Sequence, residues 1–285
     1  MNTALRIGGQ GLLLVFTVFF VASCGIFGDK GKALNPAEEA AAAARHAPPN
    51  PAASLKAGPP DQVAIYTSLG TAYLQNGHPR AAVRELQEAL AQPGKHGDTY
   101  NVLGLAYQAL GQGKLASESF RHALAEDPSN PQFRNNYGAF LLEQGDYAAA
   151  IQELRKAVAD PLYSTPEFAW TNLAAAYHRL KEDQKALAAI EKALYFKPGY
   201  PPALLLWAQM DWQEGNLRNA FEHLQGVLAQ EPDNAEALLL AGQIAKRQGQ
   251  VARAREFWER CVNASPYSAA GKQAQSELLG LGPTP

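Results

Sequence analysis

The feature that most constrains this chain is a recurrence every 34 residues. A small residue comes back at Gly70, Gly104, Gly138, Ala174, Ala208 and Gly242, preceded by a large one in all but the last, where Ala241 stands. The interval is 34 each time except once, where it is 36. Twelve residues after each of these come Ala82, Ala116, Ala150, Ala186, Ala220 and Ala254. Four further on stand Leu86, Phe120, Leu154, Ile190, Leu224 and Trp258. Then come Ala89, Ala123, Ala157, Ala193, Val227 and Cys261. Small and large apolar residues three, four and seven apart describe one face of a helix, so each period holds two helices. A small residue on the first helix lets the second approach closely, and the large residue of the second fills the groove. Gly77, Gly111, Gly145, Gly215 and Gly249 fall between the helices, where left-handed backbone costs glycine least. Pro128, Pro198, Pro232 and Pro266 close most units, because proline cannot continue a helix. A single pair cannot bury its own apolar face, so successive pairs must stack.

This pattern resembles the tetratricopeptide repeat, six times over. The resemblance implies an all-α fold: a right-handed superhelix of six helix-turn-helix repeats with a C-terminal capping helix. The repeats are expected at 63–96, 97–130, 131–164, 167–200, 201–234 and 235–268 within a domain of 61–279, with the cap at 269–279 and a tail over 280–285. Residues 165–166 are a two-residue insertion.

The N-terminus reads as an address. Arg6 is the one charge in residues 1–23, and an apolar run of eleven residues, Leu12 to Ala22, follows it. That is too short to span a bilayer, which takes about 20 residues, and it fits a secretory signal. The run ends Val21-Ala22-Ser23-Cys24, which resembles the lipobox of bacterial lipoproteins. The resemblance implies cleavage after residue 23 and a thioether-linked diacylglycerol on Cys24. Gly25 rather than Asp after the cysteine implies, by the same family's sorting rule, the periplasmic face of the outer membrane. Residues 24–60 form an Ala/Pro-rich linker without the aliphatic residues a core needs. Within it Pro36–Arg45, rich in Ala and Glu, has the composition of a short helix. Cys261, at a small-residue position of the last second helix, is expected to be a buried, inert thiol.

Net charge is −2, so there is no electrostatic footprint for nucleic acid. Phosphate-loop, metal-ligand and nucleophile-elbow spacings are missing. His178 and Arg179 have no partner acid or nucleophile at a motif spacing, so the chain reads as a non-enzymatic binding protein. It calls for no cofactor beyond the lipid on Cys24, and no small-molecule substrate. In the repeat family's geometry, the first helices turn five positions per unit inward: the second, fifth, ninth, twelfth and thirteenth. The partner-binding residues expected on that ground are Asn101, Gln108, Asn135, Leu142, Phe168, Thr171, His178, Leu205, Gln209 and Trp212, with Lys246 and Arg247 in the last unit. Asn and Gln suit the backbone amides of an extended peptide. Leu142, Phe168, Leu205 and Trp212 are costly to leave wet. Trp212 is the strongest anchor candidate by residue type, although packing against a neighbouring repeat explains it equally well.

The stretch 135–173, with Asn135-Asn136-Tyr137-Gly138, Phe140-Leu141, Gln144, Asp160-Pro161-Leu162-Tyr163 and Trp170-Thr171-Asn172-Leu173, resembles the third and fourth repeats of the PilW/PilF type IV pilus biogenesis lipoproteins. That resemblance implies a pilotin-like adaptor, whose partners are secretin subunits captured in the repeat groove and brought to the outer membrane for multimerisation. The alternative is a lipoprotein scaffold for peptidoglycan hydrolases or outer-membrane assembly.

Overall fold

Local sequence starts and stops the helices. Asp61, Asp146 and Asn234 each accept, through a side-chain oxygen, the amide three residues on, at 3.2, 3.2 and 2.9 Å. Ser268 does the same for Gly271 at 3.0 Å. These contacts satisfy amides that a helix N-terminus leaves without a partner. Pro79, Pro166 and Pro201 open further helices, where proline's missing N–H costs nothing.

The computed structural model describes residues 61–281, and these contain thirteen α-helices and no strand. The expected signal segment, Cys24, the linker and the last residues of the tail lie outside the described residues. The helices are α1 (Gln62–Gln75), α2 (Pro79–Leu90), α3 (Gly97–Ala109), α4 (Gly113–Glu126), α5 (Pro131–Glu143), α6 (Tyr147–Val158), α7 (Pro166–Arg179), α8 (Asp183–Phe196), α9 (Pro201–Glu214), α10 (Leu217–Gln230), α11 (Ala235–Arg247), α12 (Val251–Ala264) and α13 (Ala269–Gly280). They fall into two compact units, 61–140 and 141–281, with the division inside α5.

In the first unit α1 pairs with α2 and α3 with α4, and α2 lies against α3. Ala82, Leu86, Leu103 and Ala106 form a buried cluster, with Tyr73, Val83, Leu90 and Tyr107 closed over it. Phe120 is fully buried, with its ring centroid 5.9 Å from Tyr137 and 5.6 Å from Phe140.

In the second unit α7 pairs with α8, α9 with α10 and α11 with α12. One cluster is built around Ile190, Tyr200 and Met210, a second around Leu224, Leu240 and Ile244, and a third around Leu238, Trp258 and Cys261. Helix α13 covers the third cluster with Ala270 and Ala274. The loop before α7 seats Tyr163 at 7 % exposure and leaves its neighbour Leu162 at 89 %. Burial pushes the Tyr163 phenol up to about 12.

Every hairpin turn repeats one bond. The amides of His78, Gln112, Asp146, Glu182, Asn216 and Gln250 each reach the carbonyl five residues back, at 2.8–2.9 Å. This is the glycine-favouring helix stop. Five of the six turns place glycine at positive φ, 70–84°. The sixth places Lys181 there, at φ 63°.

The row of small residues is equally physical. A Cβ at Gly104 would lie 2.7 Å from Phe120 Cε1, and one at Gly242 would enter the Trp258 indole. Trp258 is fully buried and donates its Nε1–H to the Leu239 carbonyl at 3.2 Å.

Candidate functional site

The inward positions of the first helices do not all remain free to meet a partner. In the first unit, Thr67 of α1 and Thr99 of α3 share a hydrogen bond at 2.7 Å between their hydroxyls. Asn136 Nδ2 donates to Asn101 Oδ1 at 3.0 Å, tying α5 to α3. Asn136 Oδ1 in turn accepts from Gln132 Nε2 at 3.1 Å and from Asn135 Nδ2 at 3.4 Å. Asn101 and Asn135 are buried, at 7 % and 6 % exposure. The Asn101 amide serves helix-to-helix bonding and the Asn135 amide bonds its neighbour on α5, because a buried amide left without partners is expensive. They are therefore not the exposed peptide-backbone contacts that residue type suggests. Gln108, on the last turn of α3, is half-buried.

In the second unit the same correction applies to two more residues, Leu142 and His178, while Thr171 is committed only through its hydroxyl donor. Leu142 is 8 % exposed, so it offers a partner little surface. His178 is also 8 % exposed, and its Nδ1 lies 2.7 Å from Asp183 Oδ1 across the α7–α8 turn. It fastens its own hairpin. Thr171 donates its hydroxyl to the Glu167 carbonyl one turn back at 2.8 Å, which spends its donor on α7.

In this unit five expected residues stay half-buried: Phe168 and Thr171 on α7, and Leu205, Gln209 and Trp212 on α9. Phe168 stands edge-on to Tyr200 at 5.6 Å, with Lys197 Nζ 6.0 Å from its ring. Leu205 and Trp212 lean on the cluster of Ala208, Leu224 and Ile244. Packing and presentation are thus combined in single residues: one face of each ring or chain holds two repeats together, and the other remains outside.

Trp212 borders a shallow, open depression. A depression of about 440 Å³ is lined by Trp212, Gln243, Lys246, Arg247 and Glu277. The Arg247 guanidinium sits 5.2 Å over the Trp212 ring, a cation–π arrangement. Lys246 Nζ pairs with Glu277 Oε2 at 2.8 Å, joining α11 to α13. An aromatic wall, the Gln243 amide and the Arg247 guanidinium, beside the Lys246–Glu277 pair, suit a peptide that brings an apolar side chain and a carbonyl. At the N-terminal end of α11, burial raises the Glu236 carboxyl above its ordinary value.

Sequence reasoning leaves out Gln243, Glu277 and Asn136. Gln243 follows Gln209 by one period and was open to the same register argument. Asn136 lies one position off the inward register. Glu277 belongs to α13, which has no repeat register, so no spacing signals it.

These hairpins, stacked through a small-against-large row, define a repeat scaffold of the kind that binds other proteins. Tetratricopeptide-repeat models match residues 67–112, 101–164, 169–200 and 211–278, and the chain belongs to the tetratricopeptide-repeat family. Among solved structures it is similar to PilW, a widely conserved type IV pilus biogenesis factor, at 29 % identity and a TM-score of 0.66 over 75 % of this chain and 98 % of that one. It is similar also to PilF of Pseudomonas aeruginosa, at 30 % identity and a TM-score of 0.63 over 76 % and 97 %. Within the repeat family the chain is of this PilW/PilF type. Over 113 residues it is 32 % identical to the protein O-mannosyl-transferase TMTC1 of Mus musculus. That match spans 37 % of this chain and only 12 % of the relative's length.

Proposed function

We propose that the protein is a non-enzymatic adaptor of type IV pilus biogenesis, anchored by a lipid on Cys24 to the periplasmic face of the outer membrane. It captures a segment of the pilus secretin along the half-buried row of Phe168, Leu205, Gln209 and Trp212. The lipid then carries the bound secretin subunit to the membrane where it multimerises. No metal, nucleotide or small-molecule substrate enters this mechanism. The observation that carries the reading is the likeness to PilW and PilF over nearly the whole length of both.

The depression beside Trp212 supports the mode of binding, since tryptophan and arginine at the rim of a concavity are the residue types that dominate protein interfaces. Recovery of secretin subunits with the tagged full-length protein tests the proposal. Trp212→Ala is expected to lower recovery about 30-fold, the equivalent of roughly 2 kcal/mol. Undiminished recovery with Trp212→Ala would remove the groove from the mechanism. Recovery of peptidoglycan hydrolases in place of secretin would move the protein to the scaffold role.

A further inference from the structure

The two cations beside Trp212 are neighbours in sequence and differ in what they are free to do. Lys246 is engaged on two sides. Its Nζ lies 5.6 Å over the ring of the fully buried Trp258 and 2.8 Å from Glu277 Oε2. Its charge is therefore answered within the chain, and it fastens α13 to α11. Arg247 meets an aromatic ring instead. Its guanidinium lies on the Trp212 face at 5.2 Å, and no carboxylate among the described residues pairs with it. Arg247 is exposed, so its donors are open to a partner. A guanidinium stacked on a ring keeps its N–H edge free in the plane of the stack, as a fork already oriented for a planar acceptor. Two cations less the one carboxylate of Glu277 leave the depression a single positive charge, and it resides on Arg247.

A backbone carbonyl uses part of that fork. A carboxylate uses it through two parallel bonds and also neutralises the charge. Because the guanidinium and the indole are stacked, the group that Arg247 takes must stand next to the apolar side chain that Trp212 takes. Gln243, half-buried in the same depression, offers both a donor and an acceptor to the backbone between them. We propose that Arg247 is the specificity-determining residue of this depression, and that it selects an extended segment in which an Asp or Glu adjoins an apolar residue. Glu277 sets the number of acids at one, because it holds Lys246 away from a second. A basic segment meets Arg247 with like charge and finds Glu277 already paired, so it is rejected. The proposal rests on the groove reading above and adds to it the charge that the captured segment carries.

Selection of an unbiased peptide library on the full-length protein tests this, with Arg247→Gln as a second bait whose folding is checked by circular dichroism. Peptides enriched on the unsubstituted protein are expected to carry Asp or Glu beside an apolar residue. Changing that acid to its amide is expected to weaken binding about tenfold on the unsubstituted protein and to change nothing on Arg247→Gln. Added salt should weaken the acidic peptide and leave its amide counterpart as it was, a dependence that a purely structural Arg247 does not produce. Glu277→Gln, which releases Lys246, is expected to favour peptides with a second acid. Enrichment of no peptide, enrichment without an acid, or equal binding of acid and amide would overturn the proposal. So would a preference confined to peptides with a free C-terminal carboxylate. Secretin recovery is read separately. An Arg247-dependent acidic motif with no secretin recovered unseats the secretin as partner and leaves Arg247 in its role. Secretin recovered through Trp212 without such a motif unseats Arg247 alone.

Discussion

At the residue scale, Lys181 shows what the turn demands. Its backbone holds φ 63° where the other five hairpins use glycine, and its amide and that of Glu182 still make the same helix-stopping bonds, to His178 and Tyr177. A left-handed conformation costs an L-residue about 1–2 kcal/mol, while glycine loses roughly 0.5–1 kcal/mol more chain freedom on folding. Lys181→Gly is therefore expected to stabilise the protein by about 0.5–1 kcal/mol, read as a higher urea midpoint at unchanged slope. The opposite change is expected at Gly104, where a methyl group would meet Phe120 at 2.7 Å inside a filled core. Gly104→Ala should cost about 1–3 kcal/mol by the same measurement. Cys261 gives a pH-dependent prediction. Burial pushes its thiol up to about 11 from an ordinary 9.0, so folding favours the protonated form. That contribution is complete below pH 9 and is lost as pH rises toward 11. Iodoacetamide at pH 8 is expected to label Cys261 only after unfolding in urea, because the thiolate is the reactive species.

At the scale of elements, the capping helix has a role that can be measured. Ala274 of α13 is fully buried against the cluster that holds Trp258, and Lys246 of α11 is paired with Glu277. Stability in a stack of repeats is close to a sum of units and nearest-neighbour interfaces. Ala274→Asp puts a charge into that interface, so amide exchange should rise first in α11 and α12 and leave α1–α3 as they were. Hydrogen exchange by mass spectrometry separates this local loosening from global unfolding. The hairpins themselves were legible from sequence, because the small residue at 104 and the large one at 120 are two halves of one contact and recur at fixed spacing. The inward register was legible in direction but not in depth. Position alone turns Leu142, Asn101 and His178 inward, yet it does not say how near the next side chain comes. Leu142 is buried, Asn101 is bonded to Asn136, and His178 is bonded to Asp183. Each of those partners lies off the inward register. The depression at Trp212 was half legible: Lys246 and Arg247 stand in register, whereas Glu277 comes from a helix that follows no repeat.

For the molecule as a whole, attachment and capture are separable on the function proposed here, and one pair of variants separates them. No described helix is long and apolar enough to cross a membrane, so in this proposal the membrane contact rests on acyl chains at Cys24. Each buried methylene of such a chain contributes about 0.8 kcal/mol, and more than one chain is needed for stable anchoring. Cys24→Ser should therefore abolish palmitate labelling and move the protein out of the membrane fraction. Its helical circular dichroism should be unchanged, since the hairpins at 61–281 do not include that residue. Trp212→Ala should do the converse, leaving palmitate labelling and membrane fractionation intact while secretin recovery falls. If one element both anchored and captured, the two variants would fail together. If the repeats capture and the lipid sorts, Cys24→Ser still co-purifies with secretin subunits, now from the soluble fraction, and the secretin no longer multimerises in the outer membrane. Loss of secretin binding in Cys24→Ser, with its dichroism intact, would mean that the partner recognises the protein only at the membrane surface, and the groove would cease to explain capture.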